Sequence, residues 1–312
     1  MTGLDLLVVG DCNPDVLVLG DDVVPGFGQQ EKLVRSISLV VGGSAAITAV
    51  AAARLGLRVA LAATIGADPA GEFMLAQLAA EGVEVSAVVT RPGLATGLTV
   101  ALSHGSDRAI LTATGAMTAL TAADVPAELV RRARHVHVSS YFLLEPSLGP
   151  GLAGLLATAR AHGARTSLDT NWDPAGRWGG AELRAVLAET DLLLPNEEEA
   201  RQLSGQPSAA AAIAALTAAG PAVVVKLGPR GALAGPDLVK PPAGLVSGFT
   251  DATGAGDCFN AGLIAGLLHG LDLRAAARLG CAAGTASTRA AGGTAAAPDL
   301  ATALALAGLT LG

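Results

Sequence analysis

Phe249-Thr-Asp-Ala-Thr-Gly-Ala-Gly-Asp257-Cys-Phe-Asn-Ala-Gly-Leu-Ile-Ala-Gly-Leu-Leu268 is the stretch from which the rest of the chain can be read. Its small-residue loop, Thr253-Gly-Ala-Gly256, runs straight into an Ala/Leu/Gly helical pattern that begins near Asp257. The start of a helix leaves backbone N–H groups without intrahelical partners, and the macrodipole adds partial positive charge there. Such a start binds anions, and glycine lets the backbone reach a phosphate with no Cβ in the way. Asp257 then stands beside the anion, where a carboxylate can take a proton from an attacking hydroxyl. Taken alone, the same residues read at least as well as an aspartate stabilising a helix start behind a glycine turn.

A second stretch is built the same way, Val41-Gly-Gly-Ser-Ala-Ala-Ile47-Thr-Ala-Val-Ala-Ala-Ala-Arg54-Leu-Gly56. The double glycine opens an alanine-rich helical run, Ser44 is placed to cap it, and Gly56 stands where a C′ glycine ends a helix. Gly42 and Gly43 leave room for a ligand against the backbone, or equally for an alanine helix packed closely on a sheet.

Outward from these stretches, short apolar runs alternate with helical ones. Leu4–Gly10, Val59–Ile65, Val136–Ser140, Arg165–Asp169, Leu192–Leu194 and Ala222–Leu227 read as buried strands. Ser44–Leu55, Pro69–Glu81, Gly151–His162, Gly180–Glu189, Glu197–Leu203 and Ser208–Ala219 read as helices. This alternation predicts an α/β fold, a mostly parallel sheet covered by helices on both faces. Val16–Leu19, Leu33–Val41, Thr96–Leu102 and Arg108–Thr112 break the rhythm, as strand runs with no helix within either pair. Ser103-His-Gly-Ser-Asp107 joins the last two as a hairpin turn. These runs predict a small antiparallel sheet, set in a single domain (1–312) by segments at about 13–41 and 94–114. A sheet projecting from an α/β body is suited to be a lid that keeps water from a reaction.

Composition narrows the possibilities. With 51% hydrophobic residues and 15% charged, the chain has nothing of a disordered composition. Aromatics are only 3% against 40 glycines, so the core must be Ala, Leu and Val with close backbone approaches. A net charge of -7, with Lys32, Lys226 and Lys240 the only lysines, leaves no basic patch for nucleic acid or a membrane surface. Cys12, Cys258 and Cys281 show no C-x-x-C spacing and suit a reducing cytosol; Cys258 reads as a small buried filler. The N-terminal run lacks a signal-peptide pattern, and the apolar stretch Ala209–Val225 is broken at Gly220-Pro221, so the expected location is cytoplasmic. His135 and His137 read as neighbours on one strand face with no carboxylates to make a metal set. Trp172 and Trp178 read as a clamp on the loop between them.

Taken together, the two glycine-led stretches resemble the signature segments of the ribokinase family, the PfkB carbohydrate kinases. Further matches lie in family order from one end of the sequence to the other. Gly10-Asp-Cys-Asn13-Pro-Asp15 resembles the Asn-x-Asp turn whose aspartate binds sugar hydroxyls, and Asp169-Thr-Asn171 resembles the Asp-x-Asn motif near the middle of these kinases. Pro195-Asn196-Glu197-Glu198-Glu199 resembles the N-x-x-E motif that helps organise Mg2+ and phosphates, and Lys226-Leu-Gly228-Pro-Arg-Gly231 the nucleotide-side strand and turn.

The resemblance implies the family's three-layer fold with its β-sheet lid, and ATP-dependent phosphorylation of a primary hydroxyl on a sugar or sugar acid. It makes Asp257 the base and the backbone of Gly254, Ala255, Gly256 and Asp257 the anion hole. It places Asn13, Asp15, Gly42, Gly43, Ile47 and Glu145 around the sugar, and Asn196, Glu199, Lys226, Gly228, Gly231, Gly254 and Gly256 around the nucleotide. Asn196 and Glu199 would act on Mg2+ through water, and Asp251 and Thr253 would stand where relatives hold a monovalent cation such as K+. A homodimer formed through the lid is implied as well, which would cover the lid's edge and apolar face. Ile47 departs from the family pattern, standing where relatives carry an asparagine that hydrogen-bonds the sugar. Isoleucine makes no such bond, so ribose is not carried over as the substrate.

A nucleoside kinase on the same scaffold and a non-catalytic binding relative remain as alternatives. The scarcity of aromatics near the lid, where Phe27, Tyr141 and Phe142 are the nearest, favours a sugar over a nucleoside. No G-x-G-x-x-G follows the first strand and no Walker A motif occurs, which excludes a dinucleotide-binding dehydrogenase and a P-loop enzyme.

Overall fold

A computed structural model describes residues 3–104, 107–242 and 248–311. Strand β1 (Leu4–Val9) leads directly into β2 (Asn13–Leu19), and β3 (Ser36–Gly42) returns to start α1 (Ser44–Arg54). β4 (Val59–Gly66), α2 (Pro69–Ala80) and β5 (Glu84–Arg91) follow, then β6 (Leu98–His104) and β7 (Asp107–Ala113). Next are α3 (Ala127–Arg132), β8 (Ala133–Val138), α4 (Tyr141–Ala161), β9 (Arg165–Leu168), α5 (Ala181–Ala188) and β10 (Leu192–Leu193). α6 (Glu197–Ser204), α7 (Ala209–Thr217) and β11 (Ala222–Lys226) come after them. β12 (Ala232–Ala234), β13 (Asp237–Val239), α8 (Ala255–Leu268), α9 (Leu273–Ser287) and α10 (Leu300–Ala307) complete the fold.

The main sheet has the order β13-β12-β11-β10-β9-β8-β1-β4-β5. It is parallel from β11 to β5, with β12 and β13 added antiparallel at one edge. β1 and β4 are buried at every position, as parallel strands covered on both faces must be. Alternation along β1 shows the layers. Leu7 and Val9 pack with Leu144, Leu148 and Leu152 of α4, whereas Leu6 and Val8 pack with α1 and α8. Small residues bring α8 against α9, where a Cβ on Gly262 would lie 2.9 Å from the Leu279 carbonyl. The glycine and alanine excess therefore serves helix packing as well as loops. Only α4 is long and apolar enough to cross a membrane among the described residues, and its leucines are spent on this core.

Three expectations change. The small sheet, β3-β2-β6-β7, is mixed, because β2 and β6 pair in parallel. β2 continues β1 and β6 follows β5, so both leave a parallel sheet in the same direction, and only the pairs β2–β3 and β6–β7 are antiparallel. α4 begins at Tyr141 rather than Gly151; Pro146 and Pro150 read as breakers, but buried Tyr141, Phe142, Leu144 and Leu148 hold the segment helical. β5 adds an edge strand to those expected; Ser86 interrupts its apolar run, and Glu84 and Arg91 bound it. β6 and β7 pair up to His104 and Asp107; the tip of the expected Ser103–Asp107 turn, residues 105–106, lies outside the described residues.

Register gives the small sheet two different faces. Leu39, Val16, Val100 and Leu111 form one row across it, with Ile37, Val18 and Leu102 two residues along on the same face. Asp15, Thr99 and Thr112 lie on the other face.

Candidate active site

The two glycine-led stretches become the N-termini of α1 and α8, and the fold brings them together. Gly43 is the N-cap of α1 with φ of 79°, and it has no side chain to cap with. Asp11, just beyond β1, does so instead, accepting from the amides of Ser44 and Ala45 at 3.0 Å each. The expected capping role of Ser44 therefore passes to Asp11. The Ser44 hydroxyl is turned to other work, accepting from Asn171 Nδ2 at 2.8 Å and hydrogen-bonding the Asp257 carboxylate. Burial holds Asp11 above the ordinary carboxylate range against the pull of those amides.

α8 starts at Gly254, in the left-handed region at φ 71°. A Cβ there would fall 2.4 Å from Gly293 Cα, so only glycine fits. Ala255 bonds back to the Ala252 carbonyl, while the amides of Gly256 and Asp257 have no acceptor among the described residues. Asp257 occupies the first turn and is buried. Burial and the nearby Asp169 and Asp11 carboxylates push its pKa up to about 8, against the Lys226 ammonium and the Ser44 hydroxyl.

A buried charge cluster backs this helix start. Asp169, at the end of β9, accepts from Lys226 Nζ at 2.5 Å and from Asn260 Nδ2 at 2.6 Å. The Lys226 side chain passes close to Gly256, its Nζ 3.6 Å from where a Cβ would stand, which adds positive charge beside the free amides. Burial opposes that charge, but Asp169 and Glu199 outweigh it and hold the Lys226 pKa above its usual value. Asn196 and Glu199 form a capping box on α6. Asn196 Oδ1 accepts from the Glu199 amide at 2.9 Å, and Glu199 Oε2 from the Asn196 amide at 2.8 Å. Burial, with Asp169 nearby, pushes Glu199 up to about 7.

The other expected residues have their own local contacts. Asn13 Nδ2 donates to Asp15 Oδ1 and to Thr99 Oγ1, both at 3.2 Å. A Cβ on Gly42 would stand 2.0 Å from Asp15 Oδ1, so glycine there makes the space for that carboxylate. Ile47 is buried against the glycines of the α8 loop, its Cγ2 3.0 Å from a Cβ built on Gly254. Glu145 is paired with Arg177 at 2.5 Å. Gly228 and Gly231 shape the turn after β11, and a Cβ on Gly231 would meet the Val239 carbonyl at 2.0 Å. Asp251 binds the Thr253 amide and hydroxyl with one oxygen and the Gly292 amide with the other, tying the loop before α8 to residues 288–293.

Sequence reading misses the capping by Asp11 and the part played by Asn260. Asn260 lies three residues after Asp257, on the same helix face, which is the signal that could have found it. Ser140 and Asn171 adopt positive φ at this rim, where Asn171 Nδ2 also donates to Ser140 Oγ at 2.9 Å. Non-glycine residues held so are strained, and such strain gathers at functional sites. The expected loop clamp is present, with the rings of Trp172 and Trp178 edge-to-face at 4.9 Å and Asp173 accepting from the amides of Ala175, Arg177 and Trp178.

Residues 4–300 match the family model described as pfkB family carbohydrate kinase. The chain belongs to this family. It is 30% identical to a ribokinase of Haemophilus influenzae over 90% of this chain and 91% of that one. It is 27% identical to a nucleoside kinase of Methanothermobacter thermautotrophicus over 89% of this chain and 87% of that one. Its fold matches that of a putative ribokinase II of E. coli in complex with ATP and Mg2+, with a TM-score of 0.83 and 24% identity over 97% of this chain and 98% of the other. In pfkB terms the fold is the three-layer ribokinase fold with its separate small sheet.

Proposed function

We propose that the protein transfers the γ-phosphoryl group of ATP to a hydroxyl, expected to be primary, of a sugar or sugar acid. The observation that carries this reading is a buried carboxylate, Asp257, in the same helical turn as two backbone amides without acceptors among the described residues. Asp257 would take the acceptor's proton as its oxygen attacks, and the amides of Gly254, Gly256 and Asp257 would stabilise charge on the transferring group, the expected Ala255 amide being held instead by the Ala252 carbonyl. Asn13 and Asp15, on the face of the small sheet opposite its apolar rows, would hold the sugar hydroxyls while that sheet shuts out water. Lys226 would add its charge at the phosphate side of the same helix start.

The donor set fits Mg2+. Glu199 and Asp169 offer buried carboxylate oxygens, and Asn260 Oδ1 is buried with no partner among the described residues. Asn196 and Glu199 would hold the ion through water, since their side chains already cap α6. Bound there, Mg2+ would neutralise charge on the phosphates. Asp251 is occupied in bracing the loop, so a monovalent cation near Asp251 and Thr253 would rest on backbone carbonyls.

The exposed apolar face of the small sheet supports a homodimer, with Ile37 and Leu111 each 66% exposed. A second reading, a nucleoside acceptor, is favoured by one observation, the half-exposed Trp172 beside Asn171 at the rim. A screen of ADP release over sugars, sugar acids and nucleosides, with and without K+, tests both. Turnover of a sugar or sugar acid is expected; activity on nucleosides alone would overturn the first reading.

A further inference from the structure

At the opposite end of the main sheet, where β8 and β9 begin and α8 ends, lies a cleft of about 390 Å³. Arg131, Arg132, Arg134, Arg165, His135 and His162 line it, and none of its lining residues is acidic. In a chain of net charge -7 with 20 Lys and Arg in all, four arginines on one cleft are a marked concentration. Arg134 Nη2 donates to the carbonyl of Leu268, the last residue of α8, at 2.9 Å. That helix runs for 14 residues from the Asp257 end, which puts the cleft roughly 20 Å from the base.

Part of the cluster has a structural explanation. Arg134 also pairs with Asp5 at 3.2 Å, and Arg131 with the exposed Glu128 at 3.2 Å. Arg165 has none, since its exposed guanidinium makes no ion pair or hydrogen bond with the described residues. Behind it, His135 is buried in the cleft wall with Nε2 2.7 Å from Ser167 Oγ, and its Nδ1 is buried with no partner among the described residues. Ser167 Oγ is also 2.7 Å from His137 Nδ1, and His137 Nε2 is 3.0 Å from Ser139 Oγ. This buried polar row therefore leads from the cleft toward the rim where Asp169 stands.

We propose that this cleft binds a phosphate-bearing small molecule at a site separate from that of phosphoryl transfer. Arginine forks match phosphate oxygens two at a time, and the guanidinium of Arg165, exposed and unpaired among the described residues, stands free to take them. The cleft exceeds what a bare phosphate fills and suits a phosphate ester. A small basic patch confined to one cleft of an acidic chain favours a small ligand over nucleic acid.

The test is a titration of the full chain, labelled with 15N at histidine, followed by its imidazole signals. Inorganic phosphate, glucose 6-phosphate and adenosine monophosphate are the probes. Saturable shifts at His135 and His162 are expected for at least one of them. Response to the esters alone identifies an ester site, and an equal response to phosphate identifies a free-anion site. Arg131→Gln/Arg165→Gln should weaken binding about tenfold or more. Arg165→Gln alone, which breaks no ion pair, should act in the same direction. No saturable shift at His135 or His162 with any probe would overturn the proposal, as would unchanged affinity in Arg165→Gln or a response to RNA only.

Discussion

At Asp257 burial favours the neutral acid, and the carboxylates of Asp169 and Asp11 push the same way, while Lys226 and Ser44 favour the charge. The balance near 8 gives the base a pKa close to the range in which proton transfer is most efficient. Because the free enzyme must hold Asp257 ionised, kcat/KM should climb with pH and level off above about 8. Asp257→Asn should lower turnover by roughly 10²–10⁴ while ATP binding, followed by calorimetry, persists. Undiminished turnover in a folded variant would remove Asp257 from this role. The contrast with Ile47 is instructive. The family pattern puts an asparagine there to meet the sugar, but in this fold the position faces the α8 loop, and isoleucine fills that space against Gly254 and Gly293.

Among the elements, α1 and α8 are legible because small residues, a double glycine and a T-G-A-G loop set helix starts where a Cβ would collide. The parallel strands are legible too, since burial on both faces leaves unbroken apolar runs. What sequence cannot show is which residue caps which helix. Ser44 looks like the cap of α1 by adjacency, but Asp11, separated by the whole β2–β3 excursion, takes the amides. Long-range caps leave no local pattern, and the same blindness hides the Asp169–Lys226–Asn260 cluster. The double role of Asp11 predicts a paired effect. Asp11→Ala should cost about 1 kcal/mol through the lost cap, measured by denaturant unfolding. Asp11→Asn, which removes charge near Asp257, should move the rising limb of kcat/KM to lower pH. A limb that stays put or moves upward would contradict the coupling of Asp11 to Asp257.

For the whole molecule, stability against pH follows from which buried groups titrate between pH 4 and 9. Folded Glu199 and Asp257 hold protons up to about 7 and about 8, against 4.5 and 3.8 for ordinary side chains. Their contribution is full at low pH and is lost as pH rises through those values. His135 and His137, buried beside one another and beside Arg165 and Lys226, are held down to about 3 and about 4 from 6.5. They act in the opposite sense, since unfolding lets them take up protons below 6.5, so they cost stability as pH falls. Carboxylates lowered by partners, such as Asp5 with Arg58 and Glu81 with Arg54, change only in more acid solution. Asp11, raised by burial, acts in the same sense as Glu199 and Asp257, so up to about 6.5 the two histidines offset only part of the carboxylates' loss, and above 6.5 the carboxylates act alone. Tm should therefore fall less between pH 5 and about 6.5 than between 6.5 and 8, where burying ionised carboxylates becomes costly. Asp257→Asn/Glu199→Gln keeps both shapes and removes both titrations, so its Tm should lose most of that decline. A wild-type Tm that rises between pH 6.5 and 8, or an unchanged decline in the double variant, would show that these carboxylates are not the protons the fold holds.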